Sequence, residues 1–241
     1  MGIESGSQLD RWPMLSVTGL TVSRGERVLF RDLSFSLASG EALALIGANG
    51  AGKTSLLRTL AGFIRPDAGT VAFGGGHAPA NSGTESGDRT ESIETTGTAA
   101  IVDLQVAWVH WLGHLDGLKS ARRAREELAF QAQWFGADAD GIAAAVDVLA
   151  LEPLLDLEVR KLSAGQRRRL AFARLIAAPR PLWLLDEPFG PLDARWRGAL
   201  GVILQAHLDK GGAVLAAVHD PLPIPARTLD IGGGAVGGAG L

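Results

Sequence analysis

The stretch Gly47–Thr54 constrains this chain more than any other, because it has the form G-x-x-x-x-G-K-T of a phosphate-binding loop. The residues before it, Ala42–Ile46, are all apolar and predict a short strand that is buried on both faces. The residues after it, Thr54–Ala61, predict a helix that Gly62 closes. A strand, a glycine-rich loop and a helix in this order predict an α/β fold that binds phosphates, whereas a glycine-rich turn before a chance lysine would lack that context.

The loop predicts a site for the polyphosphate of ATP. Glycine lets the backbone approach phosphate oxygens closely, and the loop amides and the helix N-terminus present positive charge to them. Lys53 should reach the β- and γ-phosphates, and the Thr54 hydroxyl should hold Mg²⁺. We therefore predict ATP and Mg²⁺ as cofactors, with ATP contacting Gly47, Ala48, Asn49, Gly50, Ala51, Gly52, Lys53, Thr54 and Ser55.

The composition argues against several classes of protein. With 241 residues, a formal net charge of −3 and a pI near 6.0, the chain lacks the basic character of a nucleic-acid binder. It contains no cysteine, which excludes disulfides, thiolate metal sites and a catalytic thiol. No apolar run approaches the roughly 18 residues of a membrane span, and the N-terminus lacks the apolar core of a secretory signal. We expect a cytoplasmic protein that meets any membrane from its surface.

The N-terminal part predicts an antiparallel pair of strands. Residues 1–13 have the composition of a flexible tail, and we assign 14–241 to a single domain. Alternating apolar residues predict strands at Leu15–Val22 and Val28–Leu37, joined by a turn at Arg24–Arg27. This pair leads directly into the buried strand and the phosphate loop.

An abrupt change of composition follows a short predicted strand at Thr70–Phe73. Residues 74–98 are mainly Gly, Ser, Thr, Glu, Ala and Asn, with Ile93 as the one large aliphatic residue. Such a segment cannot bury enough apolar surface to offset the entropy lost on ordering it. We predict a disordered surface insertion within the domain, for which a regulatory or docking role stays open.

Regular structure is predicted again from Leu104–Leu112, where Trp108 and Trp111 are typical of a buried strand. From about residue 119 to 178 the pattern is helical, which predicts a helical subdomain inserted beside the sheet. Its first two predicted helices are Ala121–Phe135 and Ile142–Ala150.

A second group of motifs lies near the end of that helical region. Ser163 and Gln166 form the S-x-x-Q capping box of a helix that runs to about Ala178. Only 23 residues after Ser163 (186 − 163), an apolar strand ends in Asp186 and Glu187. Asp186 would bind Mg²⁺ and Glu187 would polarise the attacking water. Taken singly, the two groups are also typical of a well-capped helix and of a solvated strand end.

Together with the phosphate loop, these motifs resemble the ATP-binding cassette (ABC) ATPases over nearly the whole chain. The resemblance implies an α/β phosphate-loop NTPase core with a mostly parallel sheet, an N-terminal antiparallel β subdomain and an inserted helical subdomain. It also implies a switch role for His219 after the strand Ala213–Val218, and a dimer-loop role for Asp193. Arg24 stands where the family usually has an aromatic residue that stacks on adenine, and a solvated surface arginine is the alternative. The family signature Leu-Ser-Gly-Gly-Gln corresponds here to Leu162 followed by Ser163, Ala164, Gly165 and Gln166.

The resemblance further implies that one chain is not the active unit. In the family, the signature helix of one subunit faces the γ-phosphate bound by the phosphate loop of a second subunit. Two copies would therefore close head to tail around two ATP molecules and reopen after hydrolysis, with Glu187, His219 and Lys53 as catalytic residues. An integral membrane permease subunit would convert this cycle into transport.

Within the family, the chain is similar to the ATP-binding subunit of the haem exporter of cytochrome c biogenesis. This similarity rests on Leu20–Phe30 and on Leu112–Lys119, and it places His114 where most cassettes have a glutamine. The side chain of His114 would either approach Mg²⁺ or line the groove for the membrane subunit. Arg125–Leu128 and the insertion depart from the subfamily pattern.

The subfamily resemblance implies an ATPase that energises haem delivery from the cytoplasmic face of a bacterial inner membrane, as a peripheral subunit. We predict no direct haem binding, because His110 and His114 lie in a strand-to-loop setting and would not share a face. Two alternatives stay open: the ATPase of a metal, amino acid or multidrug transporter, and a soluble cassette protein without a transport role.

Overall fold

The computed structural model describes residues 13–74 and 108–232, which form two sheets and five α-helices. The predicted tail 1–13 lies outside this part except for Pro13, and the predicted insertion 74–98 lies outside it except for Gly74. The strands are β1 (Pro13–Arg24), β2 (Arg27–Ala38), β3 (Ala42–Ile46), β4 (Ala68–Phe73), β5 (Val109–Leu112), β6 (Leu182–Asp186), β7 (Ala213–Ala217) and β8 (Arg227–Asp230). The helices are α1 (Lys53–Leu60), α2 (Ala124–Trp134), α3 (Ala139–Val148), α4 (Ala164–Ala177) and α5 (Ala194–Asp209).

The larger sheet has five parallel strands in the order β5-β6-β7-β3-β8. Alternate residues of its central strands belong to two hydrophobic clusters, because successive side chains point to opposite faces. In β6, Leu182 and Leu184 join one cluster, whereas Trp183 and Leu185 join the other. The sheet is therefore buried on both faces, which explains why its strands read as continuous apolar runs.

The smaller sheet is antiparallel, with the order β2-β1-β4. A turn at Gly25 and Glu26 joins β1 to β2, and Gly25 has φ +62°, which favours glycine. Arg24 and Arg27 are paired across this turn. The predicted strand pair is confirmed, and each strand extends slightly further than expected.

The helical subdomain contains α2, α3 and α4, and some predicted helix boundaries within it are wrong. Helix α2 begins at Ala124 instead of Ala121, where the Glu126 carboxylate accepts a hydrogen bond from the Arg123 amide (3.1 Å). Helix α3 begins at Ala139 instead of Ile142, because the Asp138 carboxylate caps it by accepting from the amide of Gly141 (2.7 Å). Short 3-10 turns at Glu152–Leu154 and Val159–Lys161 connect α3 to α4.

The strand predicted at Leu104–Leu112 is shorter in the structure. Strand β5 covers Val109–Leu112, and residues 104–107 lie outside the described part of the chain. Trp108 and Trp111 are half-buried rather than fully buried, and both pack at the edge of the cluster beneath α1. The fully buried polar residue of this strand is His110.

Candidate active site

The phosphate loop connects the end of β3 to α1 and has the backbone geometry that its glycines permit. Gly47 has φ +134° and Gly52 has φ +107°, values that residues with a Cβ rarely adopt. Gly52 precedes α1 without any side-chain cap, so the first amides of that helix face the loop uncapped. The Lys53 ammonium donates hydrogen bonds to the carbonyls of Gly47 (2.7 Å) and Ala48 (3.3 Å). Amides and a lysine held this way form a cradle for phosphate oxygens.

The acidic end of β6 lies directly against this cradle. Asp186 is only 2% exposed, and its carboxylate oxygens accept from the Thr54 hydroxyl at 3.0 and 3.1 Å. The two residues are 132 positions apart, but β6 and β3 are both adjacent to β7, so their carboxyl ends meet at one edge of the sheet. A carboxylate beside a hydroxyl is a hard oxygen donor set, which fits Mg²⁺ completed by phosphate and water oxygens.

Glu187 and His219 form the second polar pair of the site. The Nε2 atom of His219 lies 3.0 Å from Oε1 of Glu187, and their side chains are 54% and 26% exposed. Glu187 has φ +49°, a left-handed conformation that costs a non-glycine residue about 1–3 kcal/mol. Its amide donates to the carbonyl of Ala217 at the end of β7 (3.0 Å), which fixes this turn. A carboxylate on a strained backbone, paired with a histidine beside a phosphate cradle, is typical of a catalytic position.

These groups line one cavity of about 590 Å³. Its walls bring together most of the predicted nucleotide residues with Asp186, Glu187 and His219, and Arg24 lies at the same cavity. Three residues that the sequence analysis missed also line it, namely Arg27, Leu29 and Arg58. The Arg27 guanidinium donates to the Gly50 carbonyl (3.4 Å), and its position across the turn from Arg24 was the available signal.

The signature residues do not line that cavity. The Ser163 hydroxyl accepts from the amide of Gln166 (3.2 Å), and the Gln166 side chain accepts from the amide of Ser163 (2.8 Å), so the predicted capping box is confirmed. A Cβ at Gly165 would lie 3.0 Å from the Pro191 carbonyl, whereas the methyl group of Ala164 is exposed. This difference explains why alanine fits at position 164.

A second, larger cleft of about 1060 Å³ lies between the loop after β5 and the start of α4. Both His114 and Leu115 line it, and Leu115 is 84% exposed. His114 does not line the nucleotide cavity, which favours the partner-facing interpretation of this residue. Glu187 and His219 line both spaces, so this pair lies at their boundary.

Two other predicted residues have local structural roles. Asp193 caps α5, because its carboxylate accepts from the amide of Trp196 (2.9 Å). His110 is buried in β5, and its Nε2 atom donates to the Ala178 carbonyl (2.6 Å). Burial lowers the pKa of His110 to about 3, so the ring is neutral at working pH.

The sequence analysis also missed three buried arginines of α4, which are Arg168, Arg169 and Arg174. Arg169 donates to the carbonyls of Leu149 and Ala150 at the end of α3 (2.9 and 3.2 Å) and stacks on Trp196. Arg168 donates to the loop after β5, and Arg174 donates both to this loop and to the Trp111 carbonyl of β5. The available signal was the run Arg167–Arg169, followed by Arg174, in a helix whose other residues are mainly apolar. The helical pattern alone does not tell a buried guanidinium from a solvated one.

Comparison with known proteins gives one consistent result. The family model described as "ABC transporter" matches residues 30–190. The chain is 43% identical over 222 residues to the cytochrome c biogenesis ATP-binding export protein CcmA of Rhodopseudomonas palustris, with 92% of this chain and 99% of that protein covered. It is 44% identical to the protein of the same name from Hyphomonas neptunium, with 88% and 93% covered.

The fold is similar to that of a solved ATP-binding subunit of an ABC transporter. The TM-score is 0.70 at 21% identity, with 86% of this chain and 79% of that chain covered. Across residues 13–74 and 108–232, no helix has both the length and the apolar character needed to cross a membrane.

Proposed function

This chain belongs to the ABC transporter ATPases, of the type that CcmA represents, and we propose that it hydrolyses ATP as the nucleotide-binding subunit of an exporter that serves cytochrome c biogenesis. The observation that carries the hydrolytic part is the Glu187–His219 pair, at 3.0 Å, beside the Thr54–Asp186 pair at the phosphate loop. The export part rests on the relatives that carry this name over nearly their full length.

In the proposed reaction, the phosphate loop binds ATP through its backbone amides, and Lys53 neutralises charge on the β- and γ-phosphates. Thr54 and Asp186 would hold Mg²⁺, which supplies charge neutralisation at the phosphate oxygens. Arg24 and Arg27 lie at the cavity wall formed by the β1–β2 turn, where a guanidinium plane suits stacking on the adenine base.

Glu187 is the general base of the proposal. Its Oε1 atom lies 3.0 Å from Nε2 of His219, which favours one orientation of the carboxylate and leaves the other carboxylate oxygen for a water molecule. The water would attack the γ-phosphorus as Glu187 takes its proton, the bond from the γ-phosphorus to the β–γ bridging oxygen would break, and ADP and phosphate would leave. The positive φ of Glu187 directs the chain away from β6 at this point. Because the pair also lines the larger cleft, a partner in that cleft can influence hydrolysis directly.

The proposed active unit contains two copies of the chain. Ser163, Gly165 and Gln166 begin α4, whose N-terminal dipole favours an anion, but they lie outside the cavity of their own phosphate loop. A second copy, arranged head to tail, would place its ATP against this helix end, with Asp193 in the loop between the two sites. Binding of ATP across the interface favours the closed dimer, and hydrolysis removes that preference.

The proposed membrane partner occupies the larger cleft, where Leu115 offers an exposed apolar side chain beside His114. The subunit would then lie on the cytoplasmic face of a bacterial inner membrane as a peripheral protein. Haem would pass through or along the membrane subunit without binding this chain, in keeping with the burial of His110.

Hydrolysis is tested with the purified protein and its Glu187→Gln variant. The amide keeps the hydrogen-bonding shape but cannot take a proton, so we expect turnover to fall by about 10²–10⁴-fold while ATP binding is retained. The variant should also accumulate as an ATP-bound dimer in size-exclusion chromatography. Undiminished turnover would show that Glu187 is not the base.

The export role is tested in the source bacterium. Affinity capture of the tagged chain from detergent-solubilised membranes, followed by mass spectrometry, should identify an integral membrane subunit. Disruption of the gene should lower the amount of covalently haem-loaded c-type cytochromes, and the wild-type gene, unlike Glu187→Gln, should restore it. Normal cytochrome levels after disruption would contradict the export role and leave the ATPase result intact.

A further inference from the structure

Helix α4, which begins at the signature, holds the loop after β5 through a buried arginine. Arg168 is 2% exposed, and its Nη1 and Nη2 atoms donate to the carbonyls of Gly113 (2.9 Å) and His114 (3.0 Å). Its Nε atom lies 3.3 Å from Asp116 Oδ1, an ion pair that is not aligned as a hydrogen bond. All three nitrogens of this guanidinium therefore face the segment 113–116.

A second arginine of α4 reinforces this attachment. Arg174 donates through Nη2 to the Trp111 carbonyl (2.7 Å) and through Nη1 to the Asp116 carbonyl (3.3 Å). One helix thus binds four carbonyls, that of Trp111 in β5 and those of Gly113, His114 and Asp116 in the loop after it. A backbone held at so many points moves with the helix.

Asp116 stabilises the charged form of the buried Arg168. Burial lowers the pKa of Arg168, and Asp116 opposes this shift more strongly than Asp186 or Glu187 does. A buried guanidinium whose charged partner is removed loses the interaction that offsets its desolvation. Arg168 also lines the larger cleft together with Glu187 and His114, so its side chain lies near both the loop and the site.

We propose that Arg168 and Asp116 are positioning residues that join the segment 113–116 to the signature helix, so that the two move as one body when the subunits close around ATP. Arg168 lies five residues after Ser163, or about 7.5 Å along a rigid helix, so displacement of the loop reaches the signature directly. The loop side chain that meets the larger cleft, Leu115, is the point at which a partner would apply that displacement.

The effect on dimer formation rests on the proposed function, because it requires two copies that close around ATP. The connection between α4 and the segment 113–116 exists within one chain and can be measured in the monomer. Amide hydrogen exchange of the monomer tests the linkage. Asp116→Asn keeps the size of the side chain and removes its charge, so exchange should become faster both in residues 113–116 and in the first two turns of α4. Faster exchange in the loop alone would overturn the proposed rigid connection.

The consequence is tested in the Glu187→Gln background by two measurements, ATP binding to the monomer and ATP-dependent dimer formation. Asp116→Asn should leave the Kd for ATP within about twofold, because its cavity is untouched, and should weaken dimer formation by about tenfold. Arg168→Gln should have the same effect, and the double variant should be no weaker than either single variant, because both remove one interaction. Equal dimer formation with and without Asp116→Asn would overturn the proposal.

Asp156→Asn is the matched control. Asp156 is a carboxylate of the same subdomain that forms ion pairs with Arg125 (2.7 Å) and Arg123 (3.9 Å), and within the described residues it has no ion pair with Arg168 or Arg174. If it weakened dimer formation as much as Asp116→Asn does, a general loss of subdomain stability would account for both results. Failure of Glu187→Gln itself to dimerise would count against the proposed function, and the exchange experiment would still decide the linkage.

Discussion

Acidification should destabilise the folded chain mainly through two histidines that are shielded from water, the buried His110 and the partly buried His207. Burial lowers the pKa of His110 from 6.5 to about 3 and that of His207 to about 4. His110 lies edge-on to Phe135, and His207 stacks on Trp183 with ring centroids 4.0 Å apart, so an aromatic side chain replaces part of the hydration of each ring. Each histidine therefore stays neutral in the folded state at a pH where it is charged in the unfolded chain.

The sign and size of the effect follow from these pKa values. Between the folded and unfolded pKa of each histidine, the unfolded chain binds more protons, so the free energy of unfolding falls as the pH falls below 6.5. The slope is about 1.4 kcal/mol per pH unit for each group. At about pH 5, each histidine should have removed about 2 kcal/mol, or about 4 kcal/mol together, a large part of a typical stability of about 5–15 kcal/mol.

Urea unfolding at about pH 7.5 and about pH 5 measures this difference by linear extrapolation. In His110→Gln, the side-chain amide can replace the Nε2 donor to the Ala178 carbonyl but does not titrate. Whatever its absolute stability, this variant should lose about half of the pH dependence of the wild type, and His207→Gln should do the same. A wild-type change below about 1 kcal/mol, or a full pH dependence in both variants, would refute the reasoning.

Three further predictions concern nucleotide binding, coupling and the insertion. Lys53→Ala should bind ATP weakly and stay monomeric, because the loop loses its only buried ammonium in the described cavity; fluorescence titration with a labelled nucleotide measures this, and wild-type affinity would contradict it. His114→Ala should keep most basal hydrolysis but lower cytochrome c maturation in cells, with His114→Gln as the conservative control; a large loss of basal hydrolysis in the alanine variant would place His114 at the metal instead. Replacement of residues 76–96 by a short Gly-Ser link should change the Tm little, because closure entropy varies slowly with loop length; a fall of many degrees would mean that this segment packs on the core.

The local motifs could be predicted because their structure depends on neighbours in the sequence. Strand β3 was predicted with its observed bounds, since a short apolar run before a phosphate loop has few alternatives. The capping box of Ser163 and Gln166 was predicted because both its hydrogen bonds join residues three apart. No capping box precedes α3, so its start was predicted at Ile142 from the apolar pattern. The helix begins three residues earlier, because the Asp138 carboxylate caps it.

Arg168 illustrates what such patterns do not contain. Within the helix, its neighbours Arg167 and Arg169 have the same charge and the same side chain, so hydrophobic periodicity cannot tell that Arg168 and Arg169 are buried and Arg167 is not. The structure assigns Arg168 to the loop after β5 and Arg169 to the end of α3. Residues 55 positions away decide the first of these contacts, and they are brought near by the pairing of β5 with β6.

The sequence by itself determined the chemistry of this protein: a phosphate loop, an acidic strand end and a signature that together indicate an ATPase. Only the tertiary structure decided how these parts meet. Parallel pairing of β6, β7 and β3 brings Asp186 to within 3.0 Å of Thr54, and the position of β7 brings His219 to Glu187. The motifs can be recognised locally because backbone geometry and helix capping involve neighbouring residues. Assembly of the site requires a particular strand order, and that order is set by the burial of apolar faces across the whole sheet.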